Sequence, residues 1–277
     1  MLKRILVLLG ETPSSGCAQD YAFRLARESG AEVAGLAGID LSYIEASMPG
    51  SIGTASYKAS LELELKKQAD ATHQRIHDAF ERECKSRNLP FELLSFEGDP
   101  STYLHLAAEI HDVIVTGHDT AYHGNIREQL PEMLSKLLLA TPRPVIACPD
   151  EPPTGSDVMV AYDGSLPAMR AVQLFALLGI WRSSRVHVIC IDTSPELATR
   201  ATRNIVDYLK SHSYRVEAHP IASDASPSDA LRKQVADQNI GTLVMGAYGR
   251  RGLKEFLFGS TTRSLVEAPP CALFLYH

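Results

Sequence analysis

The stretch GAYGRRGLKEFLFGST, Gly246 to Thr261, contains the residues of this chain best suited to hold a phosphate. Gly249 follows Gly246 three residues on, and Gly259 comes after nine further residues, with Ser260 and Thr261 directly behind it. Glycine carries no Cβ, so a backbone built on it can approach a phosphate closely and turn through positive φ. Ser260 and Thr261 add hydroxyls. A helix opening at about Ser260 would aim its first backbone N–H groups, and the positive end of its dipole, at an anion. The apolar run Leu243–Met245 precedes the first glycine, so the segment reads as a phosphate cradle between a strand and a helix. Arg250, Arg251 and Lys254 suit either phosphate neutralisation or a solvated surface. Asp163 closes another apolar run, where it suits either a ligand contact or a cap for the helix that follows.

Other chemistries find less support. His105, His111, His118 and His123 supply imidazoles, but they form neither H-E-x-x-H nor a Cys/His pattern, so no metal site is expected from them. The five cysteines, Cys17, Cys84, Cys148, Cys190 and Cys271, are scattered without a C-x-x-C pair, as reduced buried thiols are. No G-x-S-x-G nucleophile elbow is present. A redox enzyme using NAD or a flavin would place G-x-G-x-x-G after the first strand. Neither Leu9-Gly10-Glu11-Thr12 nor Tyr162-Asp163-Gly164-Ser165 supplies it. A Ser-Gly-Gly-x-Asp-Ser-like loop, as in ATP-pyrophosphatases, is also missing.

The elements that must position the cradle recur twice along the chain. Ile5–Leu9 and Val158–Tyr162 are short apolar runs, each followed by a helical pattern, Ser15–Ser29 and Pro167–Leu178. The runs Glu32–Ile39 and Arg185–Ile191 both close on Ile-Asp, and Asp112–Gly117 corresponds to Thr242–Gly246. Arg143–Cys148 and Pro270–Leu275 close the halves. Buried runs alternating with helices imply right-handed crossovers and parallel sheets. The expected fold class is α/β: two tandem doubly wound sandwiches, residues 1–150 and 151–277, each with a five-stranded, mostly parallel, Rossmann-like sheet. The join is the polar, Pro-rich stretch Asp150–Gly155. Only the first half carries an insertion, residues 41–60, read as a surface loop or lid before a long helix over about Lys58–Asn88.

The pattern Gly, two residues, Gly, nine residues, Gly, then Ser or Thr, met by Gly246, Gly249, Gly259 and Ser260, resembles the nucleotide-binding signature of ATP-binding universal stress proteins. The resemblance covers the chain as a tandem of two such domains, with the motif intact only in the second. It implies an adenine nucleotide alpha hydrolase-like fold and ATP at the carboxyl ends of the second half's strands, with Mg2+ bridging the phosphates. The residues it implicates are Ala161, Tyr162, Asp163, Cys190, Met245, Gly246, Gly249, Arg250, Gly259, Ser260 and Thr261. In the family an Asp at the place of Asp163 lies beside adenosine, near the backbone that corresponds here to Cys190-Ile191. The first half departs from the pattern at Gly10, Thr120, Pro131 and Glu132. Proline offers a phosphate no N–H, and a glutamate there would repel it. One ATP per chain is therefore expected. Family members pair through their last strands, which here implies Val145–Cys148 against Ala272–Leu275, and leaves a homodimer of chains open.

Composition bounds the remaining choices. The 277 residues carry a net charge of -6 and no basic stripe, so nucleic acid is not an expected partner. No apolar stretch reaches the ~18 residues of a membrane span. The opening MLKRILVLLG reads as a buried strand and not as a leader, and a cytoplasmic location is the expectation. A regulatory nucleotide-binding protein of the stress response, with an unidentified protein partner, is the leading reading. No general base or Walker-type lysine is visible, so fast hydrolysis is not expected. A slow ATPase, or autophosphorylation at Ser260 or Thr261, and a nucleotide-free interaction scaffold are the alternatives.

Overall fold

A computed structural model describes residues 1–40, 55–119, 134, 137–139, 141–224, 226–247 and 259–277. The insertion at 41–60 lies largely outside the described residues. In the first half, β1 (Arg4–Leu8), α1 (Pro13–Ser29), β2 (Glu32–Asp40), α2 (Ala55–Ser86), β3 (Phe91–Gly98), α3 (Pro100–Glu109), β4 (Val113–Gly117) and β5 (Val145–Cys148) alternate. The second half repeats the order with β6 (Asp157–Ala161), α4 (Leu166–Leu178), β7 (Arg185–Asp192), α5 (Pro195–Ser211) and β8 (Arg215–Ala222). It continues with α6 (Pro227–Asp237), β9 (Ile240–Gly246), α7 (Ser260–Glu267) and β10 (Ala272–Tyr276).

The chain writes its helix starts in a recurring code. Thr12-Pro13, Asp99-Pro100, Ser194-Pro195 and Ser226-Pro227 each set a capping residue before a proline at the first helical position. The Thr12, Ser165 and Ser194 hydroxyls accept backbone N–H bonds from Ser15, Ala168 and Leu197. Gly30 and Gly179, both at φ 70°, end α1 and α4 in the left-handed conformation that glycine adopts without strain. The start of α7 departs from the code, because its N-cap is Gly259, which has no side chain to cap the first turn.

Each half has strand order 3-2-1-4-5, parallel throughout, which is the doubly wound arrangement read from the sequence. The two sheets are not separate, however. β10 runs antiparallel to β5, pairing Leu273 with Ala147, Phe274 with Ile146 and Leu275 with Val145, and makes one ten-stranded sheet. The strands at this junction are buried on both faces, which is why they read as continuous apolar runs. One core lies under α1, α2, α4 and α5, the other under α3, α6 and α7, and each runs from one half into the other.

Side chains also cross the junction. The Tyr21 hydroxyl of α1 lies 2.9 Å from the Thr242 hydroxyl of β9, and Trp181 Nε1 donates to Tyr21 Oη at 2.6 Å. The two rings meet edge to face at 5.3 Å, and the Arg24 guanidinium covers the indole. Such an aromatic pair contributes about 1 kcal/mol beyond the area it buries. The stretch Asp150–Gly155 is docked rather than loose. Gly155 is buried, a Cβ there would overlap the Asn239 carbonyl, and Thr154 Oγ1 bonds Asn239 Oδ1 at 2.9 Å.

Candidate functional site

In each half strand order reverses between the first and fourth strands, and the crevice beyond their carboxyl ends is where such sheets take ligands. In the second half this place is a cleft of about 820 Å³ between the ends of β6, β7 and β9 and the starts of α4, α5 and α7. That size suits a nucleotide-sized molecule. Ala161, Tyr162, Asp163, Cys190, Met245, Gly246, Gly259, Ser260 and Thr261 all line it. Gly249, Arg250, Arg251 and Lys254 lie outside the described residues.

Local geometry distinguishes the two described glycines of the motif. A Cβ on Gly246 would stand 2.6 Å from Ala168 N and 2.8 Å from the Pro167 carbonyl carbon. The missing side chain lets α4 seat its first turn on the end of β9, which is a packing requirement rather than room for a ligand. Thr262, buried behind it, donates to the Gly246 carbonyl at 3.4 Å. Gly259 is different. With φ -57° and ψ 155° it adopts a conformation open to any residue, yet as N-cap it brings no side-chain acceptor of its own to the first N–H groups of α7. Gly259, Ser260 and Thr261 all line the cleft, so this helix start borders it.

Asp163 is exposed at the mouth, where its Oδ1 accepts the Ser165 backbone N–H at 2.9 Å. Asp192 does the same for Ser194 at 3.0 Å, at the end of β7. Both strand ends thus turn on an Asp-x-Ser unit that holds the carboxylate and caps the helix behind it. Cys190 is buried at 4% exposure, so the position borders the cleft as part of the β7 wall. Sequence reasoning missed Arg200 and Asn204 on α5 and Arg263 on α7, which complete the lining. No local motif marks them. They join the cleft only because α5 and α7 pack beside the strand ends.

The equivalent crevice in the first half is built differently. Strand register matches Ile5 to Val158 and Val113 to Thr242, which puts Gly10 at the place of Asp163. Here the Asp119 carboxylate lies at the start of α1, bonded to Thr12 Oγ1 at 3.0 Å and in close contact with Ser14 Oγ. The carboxylate thus sits beside the first turn of that helix, held by two hydroxyls. Thr120, Pro131 and Glu132 lie outside the described residues.

Residues 156–277 match the model of the universal stress protein family. Universal stress protein Slr1230 of Synechocystis is 23% identical over 160 residues, which take in 56% of this chain and 54% of that protein. The chain therefore spans about half the length of the curated relative it matches. Among solved structures, a universal stress protein from Archaeoglobus fulgidus is similar over 99% of this chain and 97% of that one, with TM-score 0.70 and 18% identity. A functionally unknown protein from Pseudomonas aeruginosa PAO1 covers 99% and 92%, with TM-score 0.58 and 15% identity. At these identities the likeness is one of fold.

Proposed function

Residues 156–277 belong to the universal stress protein family, and on that footing we propose that the chain is an ATP-binding regulatory protein of the stress response, holding one ATP in its second half. The observation that carries this reading is the convergence of nine motif-derived positions on one cleft at the β6/β9 crevice, beside a helix start left uncapped by Gly259. The first-turn N–H groups of α7, with the Ser260 and Thr261 hydroxyls, would receive the phosphates. The walls formed by Ala161, Tyr162, Ile189 and Cys190 would take the base and ribose. Mg2+, when bound, would neutralise phosphate charge. Gly10 in the first half, at the place of Asp163, supports a single site, since that crevice lacks the carboxylate of the second.

Both carboxylates of the described cleft, Asp163 and Asp192, serve as turn acceptors for Ser165 and Ser194 N–H, and on this reading ATP would act by occupancy and not by rapid turnover. Calorimetric titration of nucleotide-stripped protein with Mg-ATP tests the reading. The expected result is one site per chain, weakened at least tenfold by Gly259→Glu, which sets a carboxylate against the α7 N–H groups. Absence of heat at millimolar ATP, or unchanged binding in the variant, would overturn it.

A further inference from the structure

Away from the cleft, four ionisable side chains gather near the amino-terminal ends of β6, β7 and β8. His187 of β7, 2% exposed, lies with its Nδ1 2.9 Å from His219 Nε2 and 3.8 Å from Glu217 Oε2, both on β8. Its other ring nitrogen, Nε2, lies 3.4 Å from Asp157 Oδ2. The donor atoms of His187, Glu217 and His219 are all within 4.8 Å of one another. Register explains the grouping. Parallel β7 and β8 pair His187 with Glu217 and Ile189 with His219, so the three side chains share one face of the sheet.

We infer that His187 Nδ1, His219 Nε2 and Glu217 Oε2 form a binding site for a divalent transition-metal cation of the zinc type. Three ligand atoms at ~2.0–2.1 Å from one tetrahedral centre stand about 3.3 Å apart, and the observed separations bracket that value with small side-chain movement. The second ring nitrogen supplies a further argument. A metal-bound imidazole characteristically donates its other N–H to a carboxylate, which fixes the tautomer, and Asp157 stands there for His187. Arg185 holds Glu217 through Oε1 at 3.1 Å, leaving Oε2 turned toward the histidines. His219 is half-buried and Glu217 exposed, so a fourth position can take water.

The internal repeat shows that the fold does not demand these residues. At the equivalent places the first half has Arg4, Ala34, Glu92 and Leu94, and solves the same corner with an Arg4–Glu92 ion pair at 2.6 Å. Only the second half substitutes imidazoles for an aliphatic and a methyl side chain. The site shares nothing with the nucleotide cleft, and its test needs no ATP.

The full chain, stripped with a chelator, is titrated with Co2+ and followed by visible absorption, then challenged with Zn2+. One Co2+ per chain with the strong absorption of a tetrahedral N/O site, displaced by Zn2+, is expected. His219→Ala and Glu217→Gln, both at accessible positions, should each weaken binding tenfold or more while leaving the far-UV dichroism unchanged. Asp157→Asn should weaken it ~10–100-fold through the orientation of His187. A second group, His118, Asp119 and Asp150, also lies within ligand distance, so His118→Ala serves as the control and should change nothing. No saturable binding at micromolar metal, or binding that survives His219→Ala, would overturn the assignment.

Discussion

The motif glycines differ in what they do, and substitution separates them. Gly246→Ala forces a Cβ against the backbone of Pro167 and Ala168. It should cost roughly 1–3 kcal/mol, as overpacking does, and lower the denaturation midpoint with or without nucleotide. Gly259→Glu meets no such backbone requirement, since Gly259 has an ordinary negative φ, and should spare the midpoint while weakening ATP. Equal midpoints for Gly246→Ala and wild type would refute the packing role. This is where the sequence was read only in part. A spacing of glycines identifies a phosphate-binding pattern, but it does not say which glycine is needed for the ligand and which for the neighbouring helix. Asp163 was ambiguous for the same reason. Both its readings call for a carboxylate at a strand end, and the structure adds that its Oδ1 serves Ser165.

Elements were more legible than contacts. Continuous apolar runs located the strands buried on both faces. The outer strands β3 and β8 offered no such run. β8 has only half-buried and exposed positions and carries Pro220, which an edge strand tolerates. His219 was therefore invisible as a neighbour of His187, 32 residues earlier, until the strand pairing was known. At this scale the start of α4 is the element most open to test. Ser165 caps α4 through Ala168 N–H and is itself held by Asp163. Ser165→Ala should cost about 1 kcal/mol in a urea titration with unchanged slope. A loss under a few tenths of a kcal/mol would mean that the Asp163 turn holds the helix start unaided.

The whole molecule is bound together by one sheet and two cores that run through it. Phe175 of the second half packs against Phe274 at the junction and lies in the same core as Tyr21 and Phe23 of the first. The halves should accordingly unfold together, in a single calorimetric transition. Phe175→Ala, which empties a fully buried ring site, should lower stability by ~3–5 kcal/mol and move that one transition downward. Two separated transitions, with only the later one shifted, would show that the halves melt independently. Periodicity records the unit that was duplicated and says nothing about whether its edges are shared; the pairing of the last strands came from the family resemblance alone, and β5 does lie against β10.

Trp181 is the sole tryptophan of the chain, and it stands at the seam, bonded to a tyrosine of one half and rooted in the loop before β7 of the other. Light absorbed by indole in this protein is therefore emitted from one place. A buried, hydrogen-bonded ring emits toward the blue, and parting of the seam would move it to the red and open it to quenchers. The chain thus carries its own optical gauge of whether its two halves stay joined.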